Sequence, residues 1–134
     1  MNFTDRWQWL PTLVIVFVLG GMGVAKLVGT AGEVALFSQL GQEPVGRLFA
    51  GVVEVIACIL VLSRLKWLGA LLTLGVMAGA VVAHVTHIGF TSALTIALVA
   101  VTASAALLLY RARSALPIIG HRFRPDAASP PSPS

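Results

Sequence analysis

Four ionisable side chains stand in otherwise apolar sequence and are the residues equipped for chemistry: Lys26, Glu54, His84 and His87. An unpaired charge at the centre of a bilayer costs at least about 2.5–3.5 kcal/mol, so such residues mark proton relays, ligand sites or buried ion pairs. Glu54 lies midway along an apolar run. It must be paired, protonated or turned toward a wet cavity. Arg47, Gly51, Glu54 and Cys58 recur at helical spacing and share one face, which should point inward, with Gly51 leaving room for close approach. Ala80, Ala83, His84 and His87 share a face in the same way, and Gly75 with Gly79 has the GxxxG spacing that permits helix contact. Two histidines at i, i+3 can bring two nitrogens to one metal, but a stable site needs a third or fourth ligand, and Glu54 lies deeper; no metal site is expected. Cys58 is the single cysteine, which excludes an intramolecular disulfide and a dithiol relay and leaves a small packing residue. No serine-hydrolase elbow, P-loop, zinc-protease or dinucleotide-binding spacing is present, and the GGMG run from Gly20 to Gly23 reads as helix-packing material.

The elements that must hold these residues follow from composition. Of 134 residues, 57% are hydrophobic and 10% charged, against roughly 45–50% and about 25% in a soluble domain. A chain this short leaves a large share of its surface exposed and has too few charges to cover it, so its solvent is lipid. Four apolar segments approach the ~20 residues that cross about 30 Å of hydrocarbon. They run from about Leu10 to Val28, Val45 to Leu62, Trp67 to Val85 and Thr91 to Tyr110. The expected fold is an all-α transmembrane four-helix bundle, one domain over residues 1–116. Residues 117–134, ending in a Pro/Ser run, have nothing to bury and are expected to be a disordered cytoplasmic tail. Trp7, Trp9 and Trp67 are placed as interfacial anchors, and Ser63 to Lys66 as a tight hairpin between the second and third spans. The first segment carries Asp5 beside Arg6 and lacks a small-residue cleavage site, so it is expected to remain as a span.

The formal charge of +4 and the pI near 10.3 read as topology, with no nucleic-acid partner expected. Arg6, Arg64, Lys66, Arg111, Arg113, Arg122 and Arg124 fall on one side of the spans, Lys26 and Arg47 on the other. The richer side is cytoplasmic by the positive-inside rule. Both termini then face the cytoplasm, while the loop from about Gly29 to Pro44 and the turn near His87 face outward. At 1.5 Å per residue Glu54 lies roughly 12–14 Å below the outer end of its helix, and Lys26 and His84 lie near the outer ends of theirs. The polar residues thus gather in the outer half. There Glu54 can meet Lys26 or Arg47, either as a functional pocket or as a neutral pair that fixes the bundle's register.

The order of several short motifs resembles the DoxX-like family of small four-helix membrane proteins: Lys26-Leu27, Leu40-Gly41 before Pro44, Gly51-x-x-Glu54, Arg64 in the hairpin, and Met77-x-Gly79-Ala80-x-x-x-His84. The resemblance covers most of the chain from Lys26 to His84. It implies a multi-pass protein of the bacterial cytoplasmic (inner) membrane, similar to small subunits linked to thiosulfate:quinone oxidoreduction and to oxidative or quinone stress. A quinone is the cofactor it implies, and the recurring Lys, Glu and His fall on Lys26, Glu54 and His84. Arg47 and His87 complete the candidate binding set. Two other classes are weighed: a non-catalytic assembly partner or chaperone of a membrane complex, and a small proton-coupled multidrug-type transporter. Transport fits less well, because the multidrug exchangers carry their glutamate in the first helix, where this chain has Lys26. Small residues on several helix faces lead us to expect a homo-oligomer or a larger membrane complex.

The seven-to-two asymmetry of basic residues generates a direct test. A carboxy-terminal reporter that works only in the cytoplasm should be active; activity of an outside-only reporter at that position would reverse the orientation.

Overall fold

A computed structural model of the chain describes residues 9–89 and 91–113. The described residues form helices and turns with no strand. Four helices are long and apolar enough to cross a membrane: α1 (Leu10–Val28), α3 (Val45–Leu62), α4 (Lys66–His87) and α5 (Ser92–Arg111). They occupy the four expected segments. A short helix, α2 (Ala31–Gln39), lies within what reads in sequence as an open loop from Gly29 to Pro44. The Pro/Ser tail, Trp7, Arg6, Arg122 and Arg124 lie outside the described residues.

Local chemistry sets the boundaries. Pro11 sits in the first turn of α1, where its missing N–H breaks no helical bond. Gly29 ends α1 in the left-handed conformation, φ 77°, and its N–H donates to Ala25 O at 3.0 Å. At the α3–α4 turn the Ser63 hydroxyl donates to Leu60 O at 2.8 Å and accepts from the Leu65 N–H at 3.0 Å. Thr91 caps α5 by accepting from the Leu94 N–H at 3.4 Å. Two spans carry a π turn, at Ile15–Leu19 in α1 and at His84–Ile88, which closes α4.

The spans pack in sequence order, α1 on α3, α3 on α4 and α4 on α5, and the ring closes where α5 meets the first half of α1. The π turn is where α1 changes partner: Leu10–Val14 packs on α5, Ile15–Leu19 touches both α3 and α5, and Gly20–Val28 packs on α3. Ile15, Leu19, Val61, Met77, Val101 and Leu108 fill the core between them. Most other apolar side chains point outward, as lipid-facing residues must. Lys66 lies over the Trp9 ring at 4.9 Å, which sets the start of α1 beside the α3–α4 turn. The end of α5 lies at the same end of the bundle, where Arg113 covers the Tyr110 ring at 4.2 Å.

The glycines do not all serve the contacts that their spacing implies. Gly75 and Gly79 lie on the outer surface of α4 and face nothing within 4 Å, so among the described residues their GxxxG spacing joins no helix. Gly69 instead makes the close contact of α4. A Cβ there would stand 2.5 Å from Val61 N and 2.9 Å from Leu60 C, backbone atoms that cannot swing aside. Gly69→Ala should therefore cost about 1–3 kcal/mol, the usual range for overpacking. Gly75→Ala should leave the fold as stable as before. Thermal unfolding of the two variants in the same detergent checks the contrast, and equal losses would refute it.

Candidate functional site

The candidate site is built where α1 and α3 cross, at the end of the bundle that carries α2. Two glycines bring the helices together. A Cβ on Gly51 would lie 3.0 Å from Gly23 O, and one on Gly23 would lie 3.0 Å from Glu54 Cβ and 3.2 Å from Gly51 O. Small residues at a membrane helix crossing allow backbones to approach this closely. One turn further along, Gly20 faces Cys58, whose buried thiol donates toward Ile15 O at 3.8 Å. The face Arg47, Gly51, Glu54 and Cys58 is buried throughout, and the Gly20–Gly23 run supplies its partner surface.

This approach lets Lys26 reach Glu54. Its Nζ lies 3.1 Å from Glu54 Oε1 and donates to Oε2 at 3.2 Å. Both side chains are almost wholly enclosed, with 7% and 4% of their surface exposed. Of the partners that the sequence leaves open for Glu54, the structure selects Lys26. Arg47 turns the other way: its Nε donates to both carboxylate oxygens of Glu43 at 2.9 Å, and Nη2 lies 2.9 Å from Oε1. Arg47 Nη1 also donates to Lys26 O, one of the carbonyls that the end of α1 leaves without a helical partner. Gly29 lies against this guanidinium, where a Cβ would stand 3.2 Å from Nη1. Its positive φ and this contact both require glycine.

Two members of the cluster carry no signal as site residues in the sequence reading. Glu33, from α2, places Oε2 3.6 Å from Lys26 Nζ, with 18% of its side chain exposed. That oxygen is buried and makes no hydrogen bond among the described residues. Glu43 precedes Arg47 by four residues, a spacing legible as a helical ion pair had Pro44 not stood between them. Nothing in the spacing of Glu33 points to Lys26; α2 alone brings it there. All three glutamates of the chain therefore converge on two cations.

The histidines sit on α4, apart from one another. His84 is buried, and its Nδ1–H donates to Ala80 O at 2.6 Å. His87 is exposed and bonded through Nδ1 to the hydroxyl of Thr86, which itself donates to Val82 O at 2.7 Å. The shared inward face expected of Ala80, Ala83, His84 and His87 thus fails at His87. The π turn from His84 to Ile88 widens the helical period there and rotates His87 outward. Among the described residues no group of three or more His, Cys, Asp or Glu side chains forms a metal site.

Comparisons of the chain with protein-family models, with curated proteins and with solved structures find no match.

Removing one partner of a buried ion pair typically costs about 3–5 kcal/mol, whereas removing both is far less harmful. Lys26→Met should lose stability in that range, and Lys26→Met combined with Glu54→Gln should recover most of it, since the remaining Glu33 stands at the rim. Unfolding of the single and double variants in lipid nanodiscs measures the recovery. A double variant as unstable as the single one would show that the 3.1 Å contact does not hold the helices together.

Proposed function

We propose that the chain is a multi-pass accessory protein of a quinone-linked redox or oxidative-stress system, as its resemblance to DoxX-like proteins implies, with the Lys26–Glu54–Glu33 cluster as its ligand site. The observation that carries this reading is the polar string itself. Charge runs from Glu54, 4% exposed, through Lys26, 7%, to Glu33, 18%, and ends on a buried oxygen without a hydrogen bond among the described residues. A head group with a hydroxyl donor and a carbonyl acceptor suits that pattern: Glu33 Oε2 accepts from the hydroxyl, and the neighbouring ammonium of Lys26 donates to the carbonyl. A bound quinone would supply the electron chemistry. The chain supplies a fixed ammonium, two carboxylates beside it, and helix walls that enclose Glu54. Arg47 keeps the end of α1 in place, and His84 is the buried imidazole of the neighbouring α4.

The orientation that supports this reading puts α2 outside. Arg64, Lys66, Arg111 and Arg113 gather at the opposite end, which the positive-inside rule places in the cytoplasm. A bacterial cytoplasmic membrane is the setting that the resemblance implies. The pairing of Glu54 with Lys26 speaks against drug exchange, because a carboxylate already held by an ammonium gains less from a cationic drug. One observation favours the assembly-partner reading as a second choice: Gly75 and Gly79 form a small-residue surface on α4 that no helix among the described residues covers.

Glu54→Gln should leave a folded protein, since Glu33 remains beside Lys26, yet abolish protection against quinone or oxidant stress. His84→Ala should follow it, and His87→Ala, at the exposed turn, should be milder. Stress survival of cells carrying each variant at equal membrane abundance checks the order. Full protection by well-folded Glu54→Gln and His84→Ala proteins would remove the ligand-site reading and leave the assembly partner.

A further inference from the structure

The end of the bundle opposite α2 gathers cations beside exposed apolar surface. Arg64 stands exposed in the α3–α4 turn and makes no hydrogen bond or ion pair among the described residues. Lys66, at the start of α4, lies over the Trp9 ring at 4.9 Å. The ring face attracts the ammonium, while its N–H donors meet no oxygen among the described residues. Arg111 and Arg113 close α5 at the same end, where Arg113 Nη1 donates to the backbone oxygen of Tyr110 at 3.0 Å and the guanidinium covers that ring. All three glutamates lie at the α2 end, so Asp5 and Asp126 are the acids of this chain left to pair here. Two carboxylates against four cations leave the end net basic, whichever cations they meet. Leu62, Leu65 and Leu68 flank Arg64 and Lys66 in sequence and are exposed. A phosphate ion or an acidic protein would engage the cations alone. A phospholipid engages both, with its phosphate on the cations and its acyl chains along the leucines.

We propose that Arg64 and Lys66, beside Trp9, form a binding site for one anionic phospholipid of the surrounding leaflet. Its phosphate bridges the guanidinium and the ammonium. The guanidinium fork offers paired donors to two phosphate oxygens, and the ammonium adds a compact positive charge. Trp9 already holds Lys66 in place, so less side-chain freedom is lost when the lipid docks. The bound lipid thereby reinforces the joint between the start of α1 and the α3–α4 turn. Arg111 and Arg113 contribute to the positive field around the site without forming it. The site lies at the far end of the bundle from Lys26 and holds whether or not a quinone is the ligand there.

The test uses the full chain in phosphatidylcholine vesicles, into which phosphatidylglycerol with brominated acyl chains is titrated. Bromine quenches tryptophan fluorescence at contact, and Trp9 and Trp67 stand beside the site. The midpoint of quenching, compared with that of brominated phosphatidylcholine, gives the preference for the anionic lipid. A basic residue near an anionic lipid contributes about fivefold, so Arg64→Gln combined with Lys66→Gln should weaken the preference roughly 30-fold. Arg64→Gln alone, a change at an exposed side chain, should lose about fivefold and serves should the double variant fail to fold. Arg111→Gln combined with Arg113→Gln removes the same charge from the same end and should lose much less. Equal losses in the two double variants would replace the site by a diffuse field and overturn the proposal. So would equal midpoints for the two lipids on wild type, or displacement of the brominated lipid by inorganic phosphate at constant ionic strength.

Discussion

The ammonium of Lys26 depends on how closely two helices can approach. A lysine near the end of α1 reaches a glutamate nearly three turns into α3 only because Gly23 and Gly51 leave no side chain between the backbones. Add a Cβ to either and it meets backbone oxygen at about van der Waals contact or closer, so the helices must part and the 3.1 Å pair lengthens. The pair in turn makes the crossing tolerable in a membrane, where no water would solvate Glu54. Arg47 locks the same joint from outside by holding Lys26 O and clasping Glu43, with Gly29 shaped to admit it. Glycines, ion pair and arginine latch form one interdependent unit.

That unit gives the bundle a polarity along its axis. The α2 end collects every glutamate of the chain and two cations, while the α3–α4 turn end collects Arg64, Lys66, Arg111 and Arg113, with no acid among the described residues. At the basic end the cations lie over aromatic rings, Lys66 on Trp9 and Arg113 on Tyr110, an arrangement suited to the headgroup boundary. The same separation that orients the chain also concentrates its reactive groups at one surface. A ligand or proton arriving from the other side would have to pass the packed core around Ile15, Val61 and Val101.

Much of this was legible in sequence, for a physical reason: hydrocarbon demands long apolar runs and makes each internal charge conspicuous. The four spans, the buried Arg47–Gly51–Glu54–Cys58 face and the candidacy of Lys26 and Glu54 all follow from that demand. What sequence concealed has equally definite causes. Glu33 looks like an ordinary loop acid, because its role is set by the placement of α2 and by no spacing within a span. Gly75 and Gly79 carry a contact motif, but spacing says nothing about which side of α4 faces its neighbours. The partner of Glu54 stayed open between Lys26 and Arg47, since a helical wheel resolves direction but not depth. The choice was made by Glu43, which occupies the guanidinium and leaves Lys26 for the interior.

The two π turns explain why regular periodicity misplaces particular side chains. Each widens the helix locally, and each lies where one span changes partner or ends. In α1 the turn touches both α3 and α5, between a first stretch that follows α5 and a last one that follows α3, and Ile15 O, which already accepts from the Gly20 N–H, lies within reach of the Cys58 thiol. In α4 the turn buries His84 and turns His87 out, so two histidines that a regular helix would stack become different in kind. The irregular turn thus sits where α1 passes from its contact with α5 to the crossing that delivers the Lys26 ammonium to Glu54.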